Sequence, residues 1–262
     1  MLNRFPGSQP EKIEEAIISL LPQIDLLVVW GSIAGMAAKR LAGAVPVVFV
    51  SIGFPVEIGL VQSLAHPGRN ITGTAAEAAT ETNEKRLQLL KELVPDLKRV
   101  AVLRVPDDQY VAIAVTSLEL AASKLRGTLL PVDIKSAGDL EGAFADMKKN
   151  GGAGSFRDRC GARLEPRQAD CRSRARRPPP LLPYIFREAV AAGGLVSLGP
   201  DRTEMTRPAA AQIDKIIKGT SPADIPVEQP TKFELAINLT TARLLNLTIP
   251  PSLLALADEV IE

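Results

Sequence analysis

The sequence predicts an α/β fold in which short parallel strands alternate with amphipathic helices, and three features carry that expectation. Two β-branched apolar runs, Leu26-Leu27-Val28-Val29-Trp30 and Val45-Pro46-Val47-Val48-Phe49-Val50, each stop at small polar residues, as strands buried on both faces of a parallel sheet do. Between them Ile33 to Ala42 has helical composition, giving strand, helix, parallel strand. The same alternation restarts at Arg99, so 262 residues divide most simply into two α/β lobes separated near Pro95 to Arg99. In such sheets ligands gather beyond the carboxyl ends of the strands, where loops and helix N-termini expose backbone N–H groups. Trp30, Gly31 and Ser32, with Ser51, Ile52, Gly53, Phe54 and Pro55, are therefore candidate walls of a site.

Pro10 to Leu21 opens the chain as a helix, with Ile13, Ala16, Ile17, Leu20 and Leu21 on one face and Glu11, Lys12, Glu14 and Glu15 opposite. Pro55 stands where a first helical turn would be, and Val56, Leu60, Val61 and Leu64 form its stripe. His66-Pro67-Gly68-Arg69-Asn70 is a turn, Ile71 to Ala75 a short strand, and Glu84 to Val94 a helix that Pro95 stops. In the second half Val100 to Val105 is a strand and Pro106-Asp107-Asp108 opens a helix with Val111, Val115, Leu118 and Leu125 aligned. Leu129 to Ile134 is the next strand and Leu140 to Lys149 the next helix, after Ser136 or Asp139 as N-cap. A strand is then due, but from Arg157 to Pro180 no apolar periodicity is present. The alternation resumes with Tyr184-Ile185-Phe186, a helix over Arg187 to Ala192, the strand Leu195 to Leu198, and a helix from Thr203 to Lys218 ended by Gly219. Pro226 to Asn238 reads as extended, Thr240 to Leu245 as a short helix, and Pro250 to the end as a last helix.

A net charge of +1 argues against a nucleic-acid partner, which would demand a strong basic field. That total conceals one unusual stretch: Ser155 to Leu182 carries eight arginines against three acids, a local balance of +5 that leaves the rest of the chain at −4. The stretch also holds Cys160, Cys171 and Pro178-Pro179-Pro180. Without interleaved aromatics or an amphipathic repeat it reads as disordered or mistranslated sequence rather than a nucleic-acid arm. The cysteines lack the close pairs of a zinc site, and His66, the sole histidine, sits in a turn, so neither metal nor cofactor is expected. No apolar run approaches the roughly 20 residues of a membrane span, and no signal-peptide h-region follows Met1. Taken alone, the chain reads as cytoplasmic.

Each candidate site residue has an ordinary structural alternative. Trp30 ends a strand and serves either as a ligand platform or as packing, while Ser32 and Ser51 either contact a ligand or cap helices. Asp107 and Asp108 are read first as N-caps and second as ligand contacts. The strand ends offer no acid, base or nucleophile pair, and no G-x-G-x-x-G or Walker sequence follows a strand, so an enzyme is not expected.

Several phrases, in order, carry a resemblance: VVFVSIGFPVEIGLVQSL from Val47, HPGRNITG from His66, KRLQLLKELVP from Lys85, AAGGLVSLG from Ala191, KGTSPADIPVEQPTKFELAIN up to Asn238, and LTIPPSLLALADEVIE from Leu247. Together they resemble the ABC-transporter substrate-binding proteins that include tryptophan- and tyrosine-type binders. The resemblance implies a type I periplasmic-binding-protein fold, two Rossmann-like lobes around a cleft that closes on a solute by a hinge motion. It places residues 1–96 plus 199–226 in the first lobe and 97–198 plus 227–262 in the second. It implies a small organic solute, amino-acid-like or aromatic, a membrane permease as partner, a monomer, a periplasmic location and no catalysis. A cytoplasmic sensory or interaction module of the same fold is the alternative. The family's Thr-Gly-Thr-like loop falls on Trp30, Gly31 and Ser32, and its loop ending in Gly-Asp-Pro on Ser51 to Pro55, where Phe54 replaces the Asp. An acid there could pair with a ligand ammonium; Phe54, with Trp30, could instead stack on or cover an apolar ligand. The second lobe's loops fall on Val105 to Asp108 and on Tyr184 to Phe186.

Two departures from the family follow. Its members begin with a signal peptide and then a strand, helix and strand before the position of Met1, so the first lobe is expected to lack its opening unit and to leave an apolar strand edge bare. The second is Ser155 to Leu182, where the family has an apolar strand, a ligand loop and a helix. Shifted GC-rich codons yield Arg, Pro, Ala, Gly and Cys, so a compensated pair of frameshifts accounts for that composition and allows for a defective copy. The other reading frames of the coding DNA should then encode the missing strand and helix.

Overall fold

The structure is a computed structural model that describes residues 2–6, 9–77, 80–95, 97–104, 106, 108–134, 139, 142, 153–156 and 186–262. The helix expected over Leu140 to Lys149, the Arg-rich stretch from Arg157 onward, Asp107 and Tyr184 lie outside the described residues.

The first half builds one α/β/α sandwich. Helix α1 (Pro10–Leu20) leads to β1 (Leu27–Trp30), α2 (Ser32–Leu41), β2 (Val47–Gly53) and β3 (Ile71–Glu77). The three strands are parallel in the order β1-β2-β3, with Leu27 opposite Val47 and Val47 opposite Ile71. All seven residues of β2 and all seven of β3 are buried, which the expectation of a doubly covered sheet requires. β1 departs from it: Leu27 and Val29 are buried while Val28 and Trp30 are 49% and 38% exposed. It is the edge strand, covered on one face by α2, whereas the helix on the opposite face lies over β2 and β3.

The second half holds α3 (Glu81–Leu93), β4 (Arg99–Arg104), α4 (Gln109–Lys124), β5 (Thr128–Asp133) and β6 (Ala153–Phe156). Strands β5 and β6 flank β4, both parallel to it. A short strand, β6, thus runs into the first residues of the Arg-rich stretch, and the backbone of Ala153 pairs with Val100. Next come α5 (Arg187–Ala191), β7 (Val196–Gly199), α6 (Arg202–Ile217), β8 (Glu234–Asn238), α7 (Leu239–Leu245), α8 (Pro251–Leu256) and β9 (Glu259–Ile261). β8 pairs antiparallel with β7 and parallel with β9, so the chain end read as helix finishes as a strand. Its Asp258 side chain accepts from the Leu235 N–H at 2.9 Å, and its own N–H reaches Leu235 O, pinning the turn out of α8.

One other stretch differs from the sequence reading. The stretch after Pro55 is a compact turn, because Pro55 O accepts from both Leu60 and Val61 and Gly59 adopts φ +70°, leaving no continued helical ladder. Helix α3, expected with the first lobe, packs on α4, and its Leu89 and Leu93 join Leu195, Val196, Leu235 and Ile237. Conversely α6, far along the chain, returns to the first sheet, where Ala209, Ile213 and Ile216 cover Val48 and Val50.

Helix α6 is capped by Asp201, whose carboxylate accepts from the N–H groups of Thr203 and Glu204. A hydrogen bond from the Thr203 side chain chiefly, with those N–H groups and nearby Arg187 assisting, holds the Asp201 carboxyl below the ordinary carboxylate range. A depressed carboxyl contributes stability above its unfolded pKa and loses it as pH falls through the folded value. Asp201→Ala should therefore cost about 1 kcal/mol at neutral pH and progressively less below about pH 4, as urea unfolding at both pH values would reveal.

Candidate functional site

The carboxyl ends of β1 and β2 meet the start of α4. Gly31 supplies a φ of +85° that turns the chain from β1 into α2, and this brings Ser32, the first residue of that helix, over the opposite lobe. The Ser32 hydroxyl lies 2.9 Å from both carboxylate oxygens of Asp108. Asp108 also accepts from the Tyr110 N–H at 2.9 Å, so it is the N-cap of α4 and the partner of a first-lobe serine at once. Both side chains are nearly inaccessible, at 4% exposure.

Beside this contact β2 ends in Ser51, Ile52, Gly53 and Phe54. Ser51 and Phe54 adopt φ +58° and +52°, uncommon for residues with a Cβ, and are held there by hydrogen bonds. The Ser51 N–H donates to Thr74 Oγ1 at 3.3 Å, and the Phe54 N–H to Glu77 O at 2.7 Å. Ile52 is fully buried, facing the space that Gly35 of α2 leaves open. The Phe54 ring, also fully buried, stacks on Tyr110 with centroids 5.3 Å apart and planes 14° from parallel. The face that the sequence offered to a ligand therefore rests on a residue of α4.

Below the stack lies a polar group that the sequence reading missed. The Tyr110 hydroxyl donates to Glu77 at 2.8 Å, and Glu77 forms an ion pair with Arg86 of α3. Both charged side chains are completely buried. Arg86 Nε donates to Leu198 O at 2.8 Å and Nη1 to Asn83 Oδ1 at 3.3 Å, while Asn83 donates to Ser117 Oγ at 2.6 Å. Among the described residues Arg86 Nη2 has no hydrogen-bond partner. Glu77 ends β3 and Leu198 lies near the end of β7, so one guanidinium holds two places where the chain leaves one half of the fold for the other. Glu77 was detectable as a charged residue at a strand end; Arg86, inside KRLQLLKELVP, had the pattern of a solvated helix face.

Trp30 faces outward at the end of β1, and the Arg202 guanidinium lies 5.9 Å from its ring centroid and 4.5 Å from that of Phe186. Among the described residues no group of three or more metal-ligating side chains converges, and His66 is exposed in its turn. A hollow of about 150 Å³ lies elsewhere, lined by Arg187, Lys232, Glu234 and Asp258, whose charges largely pair with one another. No described helix is long and apolar enough to cross a membrane.

Two parallel sheets, with strand ends turned toward each other across short inter-lobe contacts, describe a clamp. The family model for "ABC transporter substrate binding protein" matches residues 14–261. The chain belongs to this family of ABC transporter substrate-binding proteins. Among characterised family relatives it is similar to the "Tyrosine-binding protein" of Clostridioides difficile (strain R20291), with 25% identity over 231 residues. The match takes in 85% of this chain and 63% of that protein, so the chain spans less than two thirds of the relative's length. A solved conserved domain protein from Vibrio cholerae O1 biovar El Tor superposes with a TM-score of 0.83 at 23% identity, over 96% of this chain and 84% of the other. The ABC domain in complex with L-Trp from Streptococcus pneumonia gives 0.85 at 23% identity, over 97% and 86%. The chain thus has the two-lobed fold of type I periplasmic binding proteins.

Proposed function

We propose that this chain is the solute-binding component of an ABC importer, holding a small organic solute between its lobes and presenting it to a membrane permease without chemical change. One observation carries the reading: strand-end residues of the first sheet meet the α4 corner directly, through Ser32 with Asp108 and Phe54 with Tyr110. In this reading the first lobe comprises the β1–β3 sheet with α1, α2 and α6, and the second the remaining elements, with crossings after Glu77, Gly199 and Glu228. Periplasmic export and a monomeric state belong to the same proposal. Trp30, Gly31, Ser32, Ser51 and Asp108 border the cleft in it, with Ile52, Gly53 and Phe54 shaping it from behind. The relatives' tyrosine and tryptophan ligands support an amino-acid-like or aromatic solute.

Thermal denaturation against a panel of aromatic and aliphatic amino acids tests this. A bound solute at one hundred times its Kd adds about 2.7 kcal/mol to the folded state, a rise in Tm of several degrees. Absence of any stabilisation across the panel, or turnover of a solute by the purified chain, would overturn it.

A further inference from the structure

The charges at the inter-lobe face are unequally available. Asp108 receives the Ser32 hydroxyl and the Tyr110 N–H, and Glu77 receives Arg86 and the Tyr110 hydroxyl; both carboxylates are buried, at 4% and 1% exposure. Position 54 offers a buried phenyl ring. A solute ammonium therefore finds neither of these acids open to it. Arg202 is different. Its guanidinium lies against Trp30, from the end of β1, and Phe186, from the segment before α5, so it stands between aromatic rings of the two lobes. Trp30 is 38% exposed and the Arg202 side chain 49%. Its carboxylate neighbour is Glu188, at 3.6 Å from Nε and itself 53% exposed, a separation at which a screened pair contributes about 0–1 kcal/mol. Asp201, next in the chain, caps α6 and faces Arg187 at 3.5 Å.

Cation–π contact with two rings restrains a guanidinium while leaving N–H groups for an acceptor. That geometry suits a carboxylate taken edge-on, displacing the weakly held Glu188, with the solute's own ring beside Trp30. A cationic solute would be repelled by the same group.

Resting on the solute-binding reading above, we propose that Arg202, held between Trp30 and Phe186, is the anion-recognising residue of the cleft, and that the solute is an aromatic carboxylate whose acid group, rather than its amine, is read.

Trp30 is the sole tryptophan of the chain, so its fluorescence reports on this corner directly. The probes are phenylacetate, phenethylamine and L-phenylalanine, none of which absorbs at the red edge of the indole band. Phenylacetate and L-phenylalanine should shift Trp30 emission saturably, and phenethylamine should not. Arg202→Gln should weaken phenylacetate by about ten- to a hundred-fold, the range for losing a charge-assisted bidentate contact, with Tm nearly unchanged because the side chain is half exposed. Arg202→Lys, which keeps the charge but not the planar, bidentate guanidinium, should fall between. Phenethylamine binding as tightly as phenylacetate, or Arg202→Gln leaving phenylacetate affinity within about two-fold, would overturn the proposal. If calorimetry finds an aliphatic amino acid bound while Trp30 emission and the Arg202 variants stay silent, this inference fails and the solute-binding reading stands. If no solute in either assay binds, both fail.

Discussion

Arg86→Met should lower the unfolding free energy by about 3–5 kcal/mol, the loss seen when one member of a buried ion pair is removed. Set against a total stability of roughly 5–15 kcal/mol, that loss is between about a fifth and all of it. The cost arises because Glu77 would lose the Arg86 charge while staying buried, and because Leu198 O and Asn83 Oδ1 would lose a donor. The pair itself is not what the fold needs energetically, since Arg86 Nη2 is left without a partner among the described residues. Arg86→Met combined with Glu77→Gln should therefore recover at least half of the lost stability. Urea denaturation of the two variants decides it: a single variant within about 1 kcal/mol of the parent would show that the group contributes little to holding the crossings together.

Phe54→Ala should cost about 3–5 kcal/mol, combining the lost burial of a fully enclosed ring with the cavity it leaves against Tyr110. Tyr110→Phe keeps the stack and removes the hydroxyl with its contact to Glu77, so about 1–2 kcal/mol is expected. The two variants should differ in shape as well as stability. Phe54→Ala removes an inter-lobe contact and should enlarge the radius of gyration in small-angle scattering, whereas Tyr110→Phe should not. An unchanged scattering profile for Phe54→Ala would mean that the stack does not hold the lobes together.

The family was legible because whole phrases such as HPGRNITG and KGTSPADIPVEQPTKFELAIN survive in order, and the family match over residues 14–261 agrees with them. Helices with strong apolar stripes or marked ends, such as α1 behind Pro10 and α6 before Gly219, were legible from local pattern. The Pro55 stretch was not. Its apolar stripe is real, since Leu60 and Val61 are buried, but a turn buries the same residues as a helix would, and pattern cannot separate the two. The end strand β9 was hidden similarly, being three residues long and defined by pairing with Ala236 to Asn238.

Of the candidate site, the sequence by itself determined the ends of β1 and β2 and Asp108 as a cap, because each depends on residues within a few positions of one another. Only the tertiary structure decided their use: Ser32 reaches Asp108 across 76 positions, and Arg86 reaches Leu198 across 112. It also turned Phe54 inward onto Tyr110 and set Arg202 between Trp30 and Phe186. The physical reason is that a buried polar or aromatic group is stabilised by whatever partner the fold brings within hydrogen-bond or van der Waals distance, and that distance is not encoded in sequence spacing.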